Sequence, residues 1–282
     1  MADSVSNDLS NSVTNSPKPL MYLEDVWKSF GSLEVLKGVS FAFPEGKTTA
    51  IVGPSGTGKS VLLKHLVGLL EPDRGKVMVF GTDMAQASER EKFAVRRRMG
   101  MLFQDGALFD SMTVGENIEF PLVHHQKELS RDQRRARVAE VLEQVELPGL
   151  EDRPTSALSG GQRKRVGLAR AIVTRPEVIL FDEPNSGLDP ITSDAIDALI
   201  SSMQARLGIT FIVISHDIVG TVNVADYIGM LYGGSLIEYG PTEDVLRSEN
   251  DIVRRFLHRN LELPHETGAG ARLPGLERWR DK

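Results

Sequence analysis

The sequence predicts an α/β fold with a largely parallel sheet, and three observations carry that expectation. Short apolar runs of strand length recur at 49–52, 99–103, 178–181 and 209–214. Stretches with helical period lie between them. The run at 49–52 passes through a glycine-rich turn directly into a helical pattern. Continuous apolar runs suit strands covered on both faces, which is the condition of a parallel sheet under helices.

The elements follow in order. Residues 1–19 are rich in Ser, Asn and Asp, lack a hydrophobic period, and read as a disordered tail. Strand-like text begins at 20–26 and returns at 39–43. A buried helix is expected at 61–70, stopped by Glu71-Pro72-Asp73-Arg74-Gly75. Residues 130–147 read as an amphipathic helix with Ser130 as N-cap and Val138, Val141, Leu142 and Val145 on one stripe. A further helix is expected at 192–207. Residues 227–231 and 236–238 form a hairpin around Gly233-Gly234. From Pro264 the text is polar and rich in Gly and Pro, as in a loose tail.

Composition narrows the function classes. The chain has 282 residues, a formal net charge of −6 and no cysteine. Disulfides, thiolate metal sites and Cys nucleophiles are thereby excluded. The longest apolar stretch, at 61–70, is interrupted by Lys64 and His65, so no membrane span is expected. The N-terminus carries Asp3 and Asp8 and lacks the pattern of a secretory signal. The acidic balance argues against bulk nucleic-acid binding.

Gly53-Pro54-Ser55-Gly56-Thr57-Gly58-Lys59-Ser60 matches GxxxxGK[ST] between an apolar strand and a helix, the context that makes this phosphate-binding loop specific. Its glycines let backbone N–H groups converge on phosphate oxygens, and the helix start adds partial positive charge. Lys59 supplies a point charge for the β- and γ-phosphates, and the Ser60 hydroxyl is a hard oxygen ligand for Mg²⁺. The strand at 178–181 ends in Asp182-Glu183. Acids at the C-terminal tip of a buried strand lie where α/β sheets place ligands. Asp182 is expected to hold Mg²⁺ through water, and Glu183 to polarise the attacking water as general base or positioning group.

Leu158-Ser159-Gly160-Gly161-Gln162 opens another helix. With it the chain resembles the ATP-binding-cassette (ABC) ATPases. Their elements stand in the usual order over about 20–250: the phosphate loop, Gln104, the Ser-Gly-Gly motif, Asp182-Glu183, Ser186-Gly187-Leu188-Asp189 and Ser215-His216-Asp217. The resemblance implies a P-loop cassette with a RecA-like core, an antiparallel β-subdomain and an inserted helical subdomain at about 105–170, the whole cassette spanning 20–256. It implies ATP and Mg²⁺, and a head-to-tail dimer in which Ser159, Gly160, Gly161 and Gln162 meet the partner's nucleotide. In that reading His216 touches the γ-phosphate, Gln104 senses Mg²⁺ and the γ-phosphate, Asp189 lines the dimer seam, and Phe30 stacks on adenine. Val61 follows Ser60 in the loop, where many cassettes have Thr. One copy of each motif implies that the second cassette is another chain, a second copy of this one.

Residues 53–64, 101–112, 182–192 and 253–257 resemble one branch, the ATPases of Mla-type phospholipid transporters that work with MCE-domain proteins. Gln162 departs from that branch, which often has Met there. The branch implies an integral membrane permease and an MCE-type lipid-binding protein as partners. It also implies a peripheral place on the cytoplasmic face of the inner or plasma membrane, and a tail at 257–282 that contacts the other cassette. Two alternatives stay open: the ATPase of an importer for amino acids or other small solutes, and a soluble cassette acting on nucleic acid or ribosomes. A P-loop kinase or GTPase has no use for the Ser-Gly-Gly motif or His216.

Three basic clusters, Arg96-Arg97-Arg98, Arg134-Arg135-Arg137 and Arg163-Lys164-Arg165, remain. The first two read as solvated helix faces. The third sits at a helix start, where the dipole disfavours cations, and so predicts a nucleotide or carboxylate partner. His124-His125 reads as a loop pair.

Overall fold

The computed structural model describes residues 19–261. The expectations for the two tails, apart from residue 19 and 257–261, lie outside the described residues. The described residues form two sheets. β1 (Met21–Phe30), β2 (Leu33–Phe43), β3 (Thr48–Val52), α1 (Lys59–Leu66), β4 (Arg74–Val79) and β5 (Thr82–Asp83) come first. α2 (Glu89–Arg96), β6 (Met99–Leu102), α3 (Val114–His125), α4 (Arg131–Gln144) and α5 (Gly160–Ile172) follow. β7 (Val178–Asp182), α6 (Pro190–Leu207), β8 (Thr210–Ser215), α7 (Ile218–Val224), β9 (Tyr227–Tyr232), β10 (Ser235–Pro241), α8 (Thr242–Leu246) and α9 (Asp251–Leu261) complete the order.

β2, β1, β4 and β5 make an antiparallel sheet, and the larger sheet runs β10-β9-β3-β8-β7-β6. In the larger sheet β9, β3, β8, β7 and β6 are mutually parallel, and only the edge strand β10 is antiparallel. The predicted parallel sheet and the Gly233-Gly234 hairpin are both present.

Strand alternation divides the core in two. On β3, Ala50 and Val52 join the cluster formed with α3, α4, α5, α6 and α7, while Ile51 joins the cluster with α1, β1, β2 and β4. β7 splits the same way, Ile179 and Phe181 against Val178 and Leu180. A strand two-sidedly buried in this manner is mostly apolar: β7 reads Val-Ile-Leu-Phe before Asp182, and β3 adds only the small polar Thr48 and Thr49 to its apolar run.

The differences have local causes. α1 ends at Leu66, not at 70, because Gly68 takes a left-handed φ of +66° and closes the helix before Glu71. β4 hides behind its charged start, Arg74-Gly75-Lys76, yet buries Val77 and Val79 on alternate positions. Five of the eight residues of α2 are charged, and the helix is held by a Ser88–Glu91 capping box. His124 and His125 close α3 instead of lying on a loop. α9 runs through the 256/257 boundary, burying Val253 and Leu257.

A candidate nucleotide site at the strand tips

Parallel strands deliver their C-terminal ends to one edge, and four of them carry the predicted residues there. β3 leads into the phosphate loop, β6 into Gln104, β7 into Asp182-Glu183 and β8 into His216. The register sets Asp182 beside Ile214, so Glu183 and His216 follow on adjacent tips.

The loop is shaped by two glycines. At Gly53 φ is +149°, and a Cβ there would lie 2.2 Å from the Leu231 carbonyl oxygen. Gly58 takes φ +99° at the N-cap of α1, and a Cβ would press on Val35 and Leu36 of β2. That contact sets the β1–β2 hairpin, with Phe30 at its tip, beside the loop. Phe30 is half exposed, and the Lys28 ammonium lies 5.7 Å from its ring centroid. Thr57 donates its hydroxyl to the Pro54 carbonyl at 2.9 Å, while Ser55 and Gly56 are exposed and Val61 is half-buried behind them.

No side chain caps α1, whereas α2 to α7 each take a side-chain cap. The first-turn N–H groups of α1 are therefore left to a ligand or solvent. Lys59 is buried and donates to the carbonyls of Gly53 at 2.8 Å and Pro54 at 3.0 Å. Burial pushes its pKa down, and the carboxylates of Glu183 and Asp182 oppose that shift.

Asp182 stands at the tip of β7. Burial pushes its carboxyl up, with the neighbouring Glu183 charge adding, while Lys64, a hydrogen bond with Ser60, and Lys164 pull it down. Glu183 adopts φ +49°, a left-handed conformation that costs a non-glycine residue about 1–2 kcal/mol. Its N–H donates to the Ile214 carbonyl at 2.9 Å, and its Oε2 lies 2.9 Å from Nδ1 of His216.

Gln104 is placed less directly. Its Nε2 donates to the Ser186 hydroxyl at 3.0 Å, in the loop after β7. Lys164 joins the two loops, donating to the carbonyls of Gln104 and, at 3.4 Å, of Glu183. Burial lowers its pKa. The role of Lys164 escaped the sequence reading, although its odd position at a helix start was the signal. Its neighbours find carboxylates inside the chain: Arg163 pairs with Asp110, and Arg165 with Glu146. No nucleotide is needed to explain that cluster.

The other basic clusters are also more bound than expected. Arg97 donates to the His125 carbonyl, Arg98 pairs with Glu177 at 2.6 Å, Arg134 with Glu119 at 2.7 Å, and Arg137 donates to Val173 at 2.9 Å.

The Ser-Gly-Gly stretch lies elsewhere. Ser159 caps α5 in a box with Gln162: the Gln162 N–H donates to Ser159 Oγ at 3.3 Å, and the Ser159 N–H to Gln162 Oε1 at 3.1 Å. Gly160 and Gly161 pack on Leu188 and Thr192 at the start of α6. Asp189 caps α6, accepting the Thr192 N–H at 3.0 Å and its hydroxyl at 2.6 Å.

These residues fit a nucleotide's phosphates with a divalent cation. Uncapped amides and a buried lysine face two carboxylates, and Ser60 with Asp182 makes a hard oxygen pair. Among the described residues no cluster of three or more acids, His or Cys forms a metal site alone. A cation at Ser60 and Asp182 must therefore draw further ligands from phosphate and water, as Mg²⁺ does.

The ABC transporter family profile matches residues 36–186. The chain belongs to the ABC transporter ATPase family. It is 43% identical over 231 residues to the probable ribonucleotide transport ATP-binding protein mkl of Mycobacterium leprae, covering 82% of this chain and 66% of that one, just under two thirds of its length. It is 38% identical to the intermembrane phospholipid transport system ATP-binding protein MlaF of Escherichia coli (strain K12), over 84% of this chain and 88% of that one. Among solved structures, cbiO1 from Clostridium perfringens, part of the ABC transporter complex cbiONQ, superimposes with a TM-score of 0.76 at 31% identity, covering 86% of this chain and 96% of that one. The dimeric cassette MJ0796 in a post-hydrolysis state with ADP and Pi gives 0.72 at 31% identity, over 79% of this chain and 98% of that one. The ABC fold accounts for the two sheets: a RecA-like parallel core, an antiparallel β-subdomain, and helices α3 to α5 inserted between β6 and β7. None of the described helices is long and apolar enough to cross a membrane.

Proposed function

We propose that this cassette binds and hydrolyses ATP as one half of a head-to-tail dimer of two copies, and that it drives phospholipid movement through a separate membrane permease. The observation that carries the nucleotide reading is the convergence at the strand tips: an uncapped α1, buried Lys59, Asp182 beside Ser60, and Glu183 bonded to His216.

In this reading the α1 amides and Lys59 hold the β- and γ-phosphates, and Ser60 and Asp182 would hold Mg²⁺, which would supply charge neutralisation for the phosphates. Gln104 reports on that centre through its Ser186 bond. Glu183 accepts a proton from, or orients, the attacking water. His216 fixes the Glu183 carboxylate from the adjacent strand. Phe30 offers its exposed ring to the adenine. Ser159, Gly160, Gly161 and Gln162 sit on exposed or half-buried surface, suited to the partner's γ-phosphate, with Asp189 at the seam. The dimeric state of the MJ0796 relative supports this arrangement.

A groove of about 450 Å³ supports the permease. It is lined by Phe103, Phe109 and Phe120 and by Arg96, Arg97 and Arg170. Exposed aromatic rings beside cations suit an amphipathic helix of a membrane partner. The relatives' names disagree on cargo, one ribonucleotide and one phospholipid. The phospholipid reading is favoured because MlaF is matched over nearly its whole length, and because the text after Gln104, which borders this groove, resembles that branch. An MCE-type protein as third partner, and a peripheral position on the cytoplasmic membrane face, follow from the same reading.

Glu183→Gln tests the chemistry. It should retain ATP and lower turnover on the order of 10²–10⁴-fold. Wild-type turnover would remove Glu183 from its role. Purification of the native complex tests the transport reading: a permease and phospholipid should co-purify, and a ribosomal or nucleic-acid partner would overturn it.

A further inference from the structure

We propose that Asp197 is a positioning residue that holds the loop carrying Glu183 and Asp189 through a proton shared with Asn185. Neither residue was singled out by any motif. Asp197 lies on the buried flank of α6, only 5% exposed, three positions before the core residue Ile200. Asn185 stands in the loop after β7, between Glu183 and Asp189.

The pair makes one hydrogen bond, in which Nδ2 of Asn185 donates to Oδ1 of Asp197 at 2.9 Å. Its two remaining atoms, Oδ2 of Asp197 and Oδ1 of Asn185, are both buried and both without a partner. With Asp197 ionised they are two acceptors with nothing to accept. A proton on Oδ2 turns one of them into a donor, and the second bond of an acid–amide pair can form. Gly220 lets α7 press against the pair: a Cβ there would lie 2.4 Å from Oδ2 of Asp197 and 3.0 Å from Nδ2 of Asn185.

The charges around the pair favour that proton. A cavity of about 500 Å³ in front of it is lined by Glu183, His216, Asp194 and Asp217, and by no Lys or Arg. Burial first, then the like charges of Asp217 at the α7 cap and Asp194 on α6 itself, push Asp197 up to about 6, against the Asn185 bond. Protonated, the pair ties the loop to α6 by two bonds. Ionised, it keeps one bond beside an unanswered charge, so the loop loosens as pH rises through about 6.

The inference rests on the reading of Glu183 given above, and its experiment has two arms. The first follows the Asp197 side-chain carbon by NMR in the wild-type cassette, assigned through the backbone. A midpoint near 6 is expected, and one near the ordinary value of about 4 would overturn the shared proton. The second compares ATPase pH profiles of wild type and Asp197→Asn, whose amide can supply both bonds at every pH. The wild-type kcat should fall about fivefold relative to the variant between pH 5.5 and 7.5, with KM unchanged. Parallel profiles would overturn the positioning role. If wild type shows no ATPase at all, the proposed function fails, yet the NMR arm still decides the proton.

Discussion

Two glycine-rich helix starts in this chain look alike as text and are built oppositely. At α1 the N-cap is Gly58, in a left-handed conformation with no side-chain cap. At α5 the N-cap is Ser159, and a box with Gln162 already satisfies two backbone donors. The first helix start leaves its amides without a side-chain cap, with a buried lysine beside them. The second has satisfied part of its own dipole end and presents a hydroxyl and small residues on exposed surface. The two helix starts therefore differ in whether the chain's own side chains have filled the free amides, a difference their similar glycine-rich text does not show.

The two helix starts differ first at their glycines. Gly53→Ala puts a Cβ against the Leu231 carbonyl, backbone that cannot move aside, and should cost about 3 kcal/mol in thermal or urea unfolding. Gly161→Ala meets only the Thr192 methyl at 2.6 Å, which can turn away by giving up the Thr192 hydroxyl bond to Asp189. Its cost should stay near about 1 kcal/mol. Equal losses at the two positions would erase the distinction between a loop packed into the core and one lying on the surface.

Lys59→Ala addresses the cradle itself. ATP affinity of a single cassette, read by equilibrium binding, should weaken about 10- to 100-fold, the loss of a charged hydrogen-bond donor. Unchanged affinity would contradict the cradle. Ser159→Ala makes the smallest change. It should leave the affinity of one cassette within about twofold while removing a cap worth about 1 kcal/mol, and it should weaken ATP-dependent dimerisation. A Ser159 variant that loses ATP binding as a monomer would place that serine in its own chain's cradle, against the arrangement in two copies.

Legibility followed locality. The phosphate loop and the Asp182-Glu183 tip could be read because each is a contiguous run whose chemistry needs those residue types in that order. The central strands of the large sheet could be read because two-sided burial keeps them mostly apolar, with Thr48, Thr49, Thr210 and Ser215 the only polar positions of β3 and β8. β4 could not, since it opens on Arg74 and Lys76 and only its alternate residues are buried. α2 could not either, because five of its eight residues are charged and a capping box, not an apolar stripe, starts the helix.

The amino-acid order by itself determined the α/β class, the family, and the glycine-rich loop between β3 and α1. A strand, a tight turn and a helix start are properties of neighbours in the chain, and their physics acts over a few residues. Only the tertiary structure decided which cations were already engaged, that Lys164 ties the Gln104 loop to the Glu183 loop, and that Asp197 faces Asn185 without enough donors between them. Those pairings join positions 12 to 79 residues apart. They arise because parallel strands bring their tips to one edge, so the electrostatics there depend on how the sheet is ordered and not on any motif.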